Sequence, residues 1–130
     1  MNIDHYEIWE PVENISNDIY FYDLQYDGRN LIIFLKELKS TNKTLIVKFV
    51  GVLDFRLTIE SGRLKTIYEV PTFRGFRTST ESEFLRRFKE ESRGLFDDDK
   101  LVHYLICNID NIIEIVSGPP VLAEWVTTDY

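Results

Sequence analysis

Between Leu53 and Glu60 the chain alternates strictly: Leu53, Phe55, Leu57 and Ile59 are apolar, while Asp54, Arg56, Thr58 and Glu60 are polar. A period of two belongs to a strand with one face on a core and the other in water. Five further runs have strand character: 19–26, 31–35, 44–50, 101–107 and 112–116. The joins between neighbouring runs are short, among them Asp27-Gly28, Ser40-Thr41-Asn42 and Asn108-Ile109-Asp110-Asn111. Parallel strands need a crossover of about a dozen residues or more, so short joins restrict most pairs to antiparallel ladders.

Local signals refine this reading. Asp27-Gly28 is a hairpin signal, because Gly accepts a positive φ. Leu31 to Leu35 is apolar on both faces, which predicts a central or doubly covered strand. Gly51 predicts a bulge or bend. Ser61-Gly62 reads as a turn into a further strand, Leu64–Val70, ended by Pro71, which cannot donate to a ladder. One helix is expected near residues 80–93. Thr80-Glu81-Ser82-Glu83 forms a capping box, Phe84, Leu85 and Phe88 supply an apolar stripe, and Gly94 suits the C-terminal cap. Gly118-Pro119-Pro120 stops the last strand pair, after which Val121, Leu122 and Trp125 are expected to pack back onto the sheet. The expected fold is α+β. It has about seven mostly antiparallel strands in a curved or sandwich-like sheet, with one helix. The 130 residues fit a single domain, 1–130, with an irregular acidic arm at 1–18 and a tail at 118–130.

Charge bounds the partners. The net charge is −7, distributed in blocks. Residues 1–28 carry seven acids and no Lys or Arg, residues 29–96 carry a net +6, and residues 97–130 carry a net −6. This disfavours DNA or an anionic membrane as main partner, since both require a net basic footprint. No apolar run is long enough to span a bilayer. The start has neither a basic n-region nor an apolar h-region, and the one cysteine, Cys107, has no internal disulfide partner. A cytoplasmic location is therefore expected.

No motif identifies a reaction, so the chain is not expected to be an enzyme. His5 and His103 lack the short spacing of a zinc site, and no metal or other cofactor is expected. His103 shares a strand face with Leu101, Leu105 and Cys107 and reads as a satisfied, partly buried histidine. Cys107 reads as a small buried hydrophobe. Asp97-Asp98-Asp99 lacks the alternation and the glycine of a calcium loop. No glycine-rich phosphate-binding loop occurs. Phe73-Arg74-Gly75-Phe76-Arg77 interleaves aromatic and basic residues in the manner of single-strand nucleic-acid binders, but the acidic ends oppose phosphate.

The turn Asp27-Gly28-Arg29-Asn30-Leu31, the strand pair Val52–Val70 and the closing segment Leu101–Ser117 give a layout over residues 19–117. It resembles that of the small acidic β-rich immunity proteins of bacterial polymorphic toxin systems. The resemblance implies a non-catalytic cytosolic protein that binds and neutralises a cognate toxin, for which an acidic surface steers association with a basic partner. The residues expected to meet such a partner are Glu7, Trp9, Glu10, Glu13, Asp97, Asp98 and Asp99. The alternatives are a domain that homo-oligomerises through unpaired strand edges and a β-rich domain that binds a small ligand.

Overall fold

The computed structural model describes residues 4–40 and 42–127. Thr41 of the expected turn and the first and last three residues lie outside this set. In chain order the elements are β1 (Glu7–Ile8), β2 (Ile19–Tyr26), β3 (Leu31–Glu37), β4 (Lys43–Phe49), β5 (Asp54–Ile59), a 3-10 turn (Glu60–Arg63), α1 (Leu64–Glu69), β6 (Phe76–Ser79), α2 (Glu83–Glu91), β7 (Val102–Cys107), β8 (Asn111–Ser117) and β9 (Val121–Thr127).

The α+β, antiparallel reading holds. The nine described strands form two sheets with every ladder antiparallel: five strands in the order β1-β6-β7-β8-β5 and four in the order β2-β3-β4-β9. The sheets face each other across one core. Leu31, Ile33, Leu35, Leu45, Val47 and Phe49 come from the four-stranded sheet, and Phe76, Tyr104, Ile106, Ile113 and Ile115 from the five-stranded sheet. Both helices pack on the outer face of the five-stranded sheet. Ile67 and Val70 meet Tyr6, Phe73, Leu105 and Ile112, while Leu85 meets Leu101 and Val116. Covered on both sides, β8 is buried from Ile112 to Ser117. Among the described residues no helix is long and apolar enough to cross a membrane.

Three expectations change. Leu64–Val70 is not a strand but the helix α1 and its cap. Its apolar residues Leu64, Ile67 and Val70 fall at i, i+3, i+6, and helical winding puts Ile67 and Val70 together on the core. A strand there would have been an addition to β5, which is an edge strand of its sheet. The second helix is shorter than 80–93 and begins at Ser82, not Thr80. Ser82 Oγ accepts a hydrogen bond from Leu85 N–H at 3.2 Å, and Glu83 is the first helical residue. Gly94 closes its C-terminal side with φ +82°. Three strands escaped the count of seven: β1 in the arm, β6, and β9 in the supposed tail. The expectation for β3 is met in its first form: the strand is central in its sheet, with one face on the core. Leu31, Ile33 and Leu35 are fully buried, whereas Ile32 and Phe34 face outward with no helix above them.

The arm at 1–18 acts as a clasp. Glu7 and Ile8 pair with Thr78 and Arg77, and Trp9 N–H donates to Phe76 O at 3.0 Å. Trp9 then enters the inter-sheet core, its ring 5.0 Å from Tyr104 and 6.2 Å from Phe49. Farther on, Trp125 Nε1 of β9 donates to Glu13 O at 2.9 Å. The arm thus touches both sheets.

Candidate functional site

Two constellations emerge that no local motif announced. The first lies beneath α2. His103 is fully buried, and its Nδ1 lies 2.6 Å from Ser82 Oγ. On its other side, Nε2 lies 3.1 Å from Glu114 Oε2, at ion-pair distance but off the line of a good hydrogen bond. His103 and Glu114 share one face because His103 is in register with Val116, and Leu105 with Glu114. Arg56 Nε donates to Glu114 Oε1 at 3.0 Å, and Arg63 pairs with the same oxygen. The rings of Tyr6 and Phe84 stand edge-on to the imidazole, at 5.4 and 5.0 Å. Burial pushes the Glu114 carboxyl up, but His103, Arg56 and Arg63 outweigh it and hold it at about 2.

The order hydroxyl, imidazole, carboxylate is that of a nucleophilic relay. Here the relay is shut. Ser82 has no exposed surface, and its oxygen is already engaged as the cap of α2. Ser82 Oγ is thus held between the Leu85 N–H of the helix and the His103 ring. As folded, the set is a brace that ties α2 to β7 and β8. A cavity of about 610 Å³ lies outside its charged end. Charges around that cavity pair with one another: Arg87 with Glu83 at 3.0 Å, Lys65 with Glu69 at 3.8 Å, and Asp4 with Arg86 at 3.3 Å.

The second constellation is a groove of about 690 Å³. One wall is the arm from Ile8 to Ile19, the other the Phe73–Phe76 loop, and the turn between β7 and β8 closes the end. Backbone bonds hold these parts together: Cys107 N–H to Gly75 O at 2.9 Å and Ile109 N–H to Ile19 O at 3.0 Å. Gly75 turns with φ +66°, a conformation open to glycine. Asn108 lines the groove, and both its Oδ1 and its Nδ2 are buried without a hydrogen-bond partner. Leaving such groups unpaired costs about 1–3 kcal/mol each. Val12, Ile15, Ile67 and Ile112 supply apolar surface, and Glu10, Glu13 and Glu60 outnumber Arg74 at the polar positions. Cys107 also lines the groove, where burial pushes its thiol up to about 12. It is therefore a neutral wall residue, not a nucleophile.

Of the residues expected to meet a partner, Trp9, Glu10 and Glu13 line this groove. Trp9 does so from the core side. Glu7 is exposed on β1 and within reach of His5 Nε2, at 3.0 Å. Asp97, Asp98 and Asp99 are exposed, but elsewhere. They run into Leu101 at the start of β7, while Glu10 and Glu13 stand near its end. Six residues of strand separate the two acidic groups by about 20 Å. Among the described residues, no group of three or more His, Cys, Asp and Glu could hold a metal ion. Sequence reasoning missed Asn108, read only as part of a turn, and it missed Ser82 and Glu114 as partners of His103. Only the strand register brings that trio together. Comparison with protein-family models, with curated proteins and with solved structures finds no match for this chain.

Proposed function

We propose that the chain is a non-catalytic binding protein whose groove takes an extended, basic segment of a protein partner. The observation that carries this reading is the Asn108 amide, a buried donor and acceptor side by side with nothing to bond. Native proteins rarely leave such groups unpaired without a functional reason. An extended main chain offers the matching acceptor and donor, one C=O and one N–H, which reach the closed-off amide as the Asn108 turn opens on binding. Glu10, Glu13 and Glu60 favour Lys or Arg flanking that contact, and they oppose phosphate. Neutralisation of a basic bacterial toxin in the cytoplasm, in the manner of an immunity protein, is the particular form of this activity that we favour.

The test is co-elution of the chain with candidate toxins encoded beside it, repeated with Asn108→Leu. Complex formation should weaken at least tenfold in the variant. The free protein should meanwhile keep or gain stability, by about 1 kcal/mol, because an unpaired buried amide has been removed. A variant that binds as well as the parent, or the absence of any complex with the neighbouring candidates, overturns the proposal. A small neutral amide that raises the melting temperature where no protein binds would point instead to a small-ligand site, a class for which a cavity of this volume is large enough.

A further inference from the structure

The two sheets end in β5 and β2 on one side of the sandwich. Both are edge strands, and the Tyr26 ring of β2 stands edge-on to Phe55 of β5 at 5.0 Å. Glu60 N–H donates to Asp110 O at 2.8 Å, and from there the register with β8 runs unbroken from Ile59 opposite Asn111 to Asp54 opposite Val116. Bonded and unbonded pairs alternate along an antiparallel ladder. Arg56 and Thr58 therefore bond β8, while Phe55, Leu57 and Ile59 turn their N–H and C=O groups to the open edge. The same residues point their side chains toward the space between the sheets, since Phe55 and Leu57 lie opposite Ile115 and Ile113 of the core. Leu57 and Ile59 remain 42 % and 62 % exposed there.

Proteins blunt strand edges by shortness, bulges, charges or a covering segment, and the other edges here have such protection. β1 is two residues long. β2 has a register shift between Phe21 and Asp23, and Ile109 N–H bonds its Ile19 O at 3.0 Å. β9 carries Glu124 and is met by the arm at Trp125. β5 is unbroken, and among the described residues no strand or loop pairs with its outer side. The segment is also its own complement. Run antiparallel to itself about a two-fold axis at Leu57, it sets Leu57 opposite Leu57, Phe55 opposite Ile59 and Arg56 opposite Thr58. The first two are pairs that exchange N–H and C=O bonds. Other registers fit worse. An axis at Arg56 sets two guanidinium groups directly opposite, where like charges destabilise. An axis at Thr58 carries Phe55 past the end of the facing strand, because the chain leaves the sheet after Ile59 in the 3-10 turn. Glu60, next in line to meet Asp54, turns away there to line the groove.

We infer that the chain forms a two-fold dimer by pairing β5 with β5 of a second copy, which joins the two five-stranded sheets edge to edge. The pairing satisfies the outward main-chain groups of Phe55, Leu57 and Ile59, and it covers the side chains that the four-stranded sheet leaves open. These residues line no part of the groove, so the dimer is independent of the binding proposed there. The contact is one strand wide, well under the about 1,200–2,000 Å² of a stable interface. The dimer accordingly depends on concentration.

Sedimentation equilibrium over a concentration series tests the inference, with Leu57→Lys as the disrupting variant. Leu57 is part exposed, so the fold accommodates a lysine whose ammonium reaches water, but in the dimer two lysines meet on the axis. The parent should pass from monomer to dimer with rising concentration, and Leu57→Lys should weaken the dimer about tenfold or more. Cysteine substitution reads the register. Residues opposite in a bonded pair stand about 5.5 Å apart at Cα, within disulfide reach, whereas Ile59 of one copy is about 14 Å along the strand from Ile59 of the other. Leu57→Cys should therefore cross-link under mild oxidation and Ile59→Cys should not, while Cys107 is held back by its burial. A parent that stays monomeric into the millimolar range overturns the inference. So does a dimer that Leu57→Lys leaves unchanged, or one in which Ile59→Cys links as readily as Leu57→Cys.

Discussion

Replacing Glu114 with Gln tests the account of the buried brace most directly. The side chain is 1 % exposed, and it faces the Arg56 and Arg63 guanidinium groups and His103 Nε2. Burial opposes its charge, yet these three partners hold the carboxyl at about 2 against an ordinary value of 4.5. A difference of this size in pKa between the folded and unfolded chain corresponds to about 3 kcal/mol of stability. Removing one partner of a buried ion pair costs about 3–5 kcal/mol elsewhere. The half-exposed Arg56 puts this case at the lower end, because water can solvate the cation left behind. Glu114→Gln should therefore destabilise the chain by about 3 kcal/mol at neutral pH.

The pH dependence separates this from a packing effect, since Gln has nearly the shape of Glu. A carboxyl depressed in the folded state stabilises that state fully above its unfolded pKa and loses the contribution as pH falls toward its folded pKa. The window runs from about pH 5 down to about pH 2, and by pH 3 about 1 kcal/mol of the contribution is left. Urea unfolding of parent and variant, followed by the fluorescence of Trp9 and Trp125, measures the difference at pH 7 and at pH 3. The gap should narrow from about 3 to about 1 kcal/mol. A gap under about 1 kcal/mol at pH 7, or one of equal size at both pH values, would refute the electrostatic reasoning.

Other perturbations probe neighbouring parts. Ser82→Ala removes both the cap of α2 and the hydrogen-bond partner of His103 Nδ1, and should cost about 1–2 kcal/mol in urea unfolding. Trp9→Ala opens a cavity between the sheets and should cost about 3 kcal/mol. It should also release the arm to limited proteolysis ahead of the rest of the chain. Cys107 should resist alkylation in the native protein at pH 8 and react promptly in urea, because its thiol is held neutral by burial.

The pattern of apolar runs between turn signals was a reliable guide to β2, β3, β4, β5, β7 and β8. It failed at Leu64–Val70, where the same apolar residues also fit a helical turn and only the position of Phe73 and Leu105 decides between them. It misled in part at β5. The alternation is real, but the opposite sheet does not extend far enough to cover it, so Phe55 packs inward while Leu57 and Ile59 stay 42 % and 62 % exposed. Val121 and Trp125 do pack back onto the core after Gly118-Pro119-Pro120, but as part of the paired strand β9, and Leu122 faces outward instead. What could not be read was the relation between distant segments. His103, Ser82 and Glu114 come from three elements, and nothing local to any of them signals the other two. Asn108 carries no signal in a turn of polar residues until the arm folds across it.

The charge of the chain takes on a different meaning once it is placed. The basic middle does meet the acidic ends, but at few points: Arg86 at Asp4, and Arg56 with Arg63 at Glu114. Arg87 pairs within its own helix at Glu83. The terminal acids do not merge into one surface either, because the Asp97–Asp99 loop and the Glu10–Glu13 arm stand at opposite ends of β7. A partner selected by the net charge of −7 would need to reach both. A partner seated in the groove meets Glu10, Glu13, Glu60 and Arg74, and it meets them beside the Asn108 amide. Screening falls hardest on exposed charges and least on a buried hydrogen-bonding pair. Binding through the groove is therefore the mode in which affinity persists at high salt while the rate of encounter falls, and that separation distinguishes it from attraction by the acidic chain as a whole.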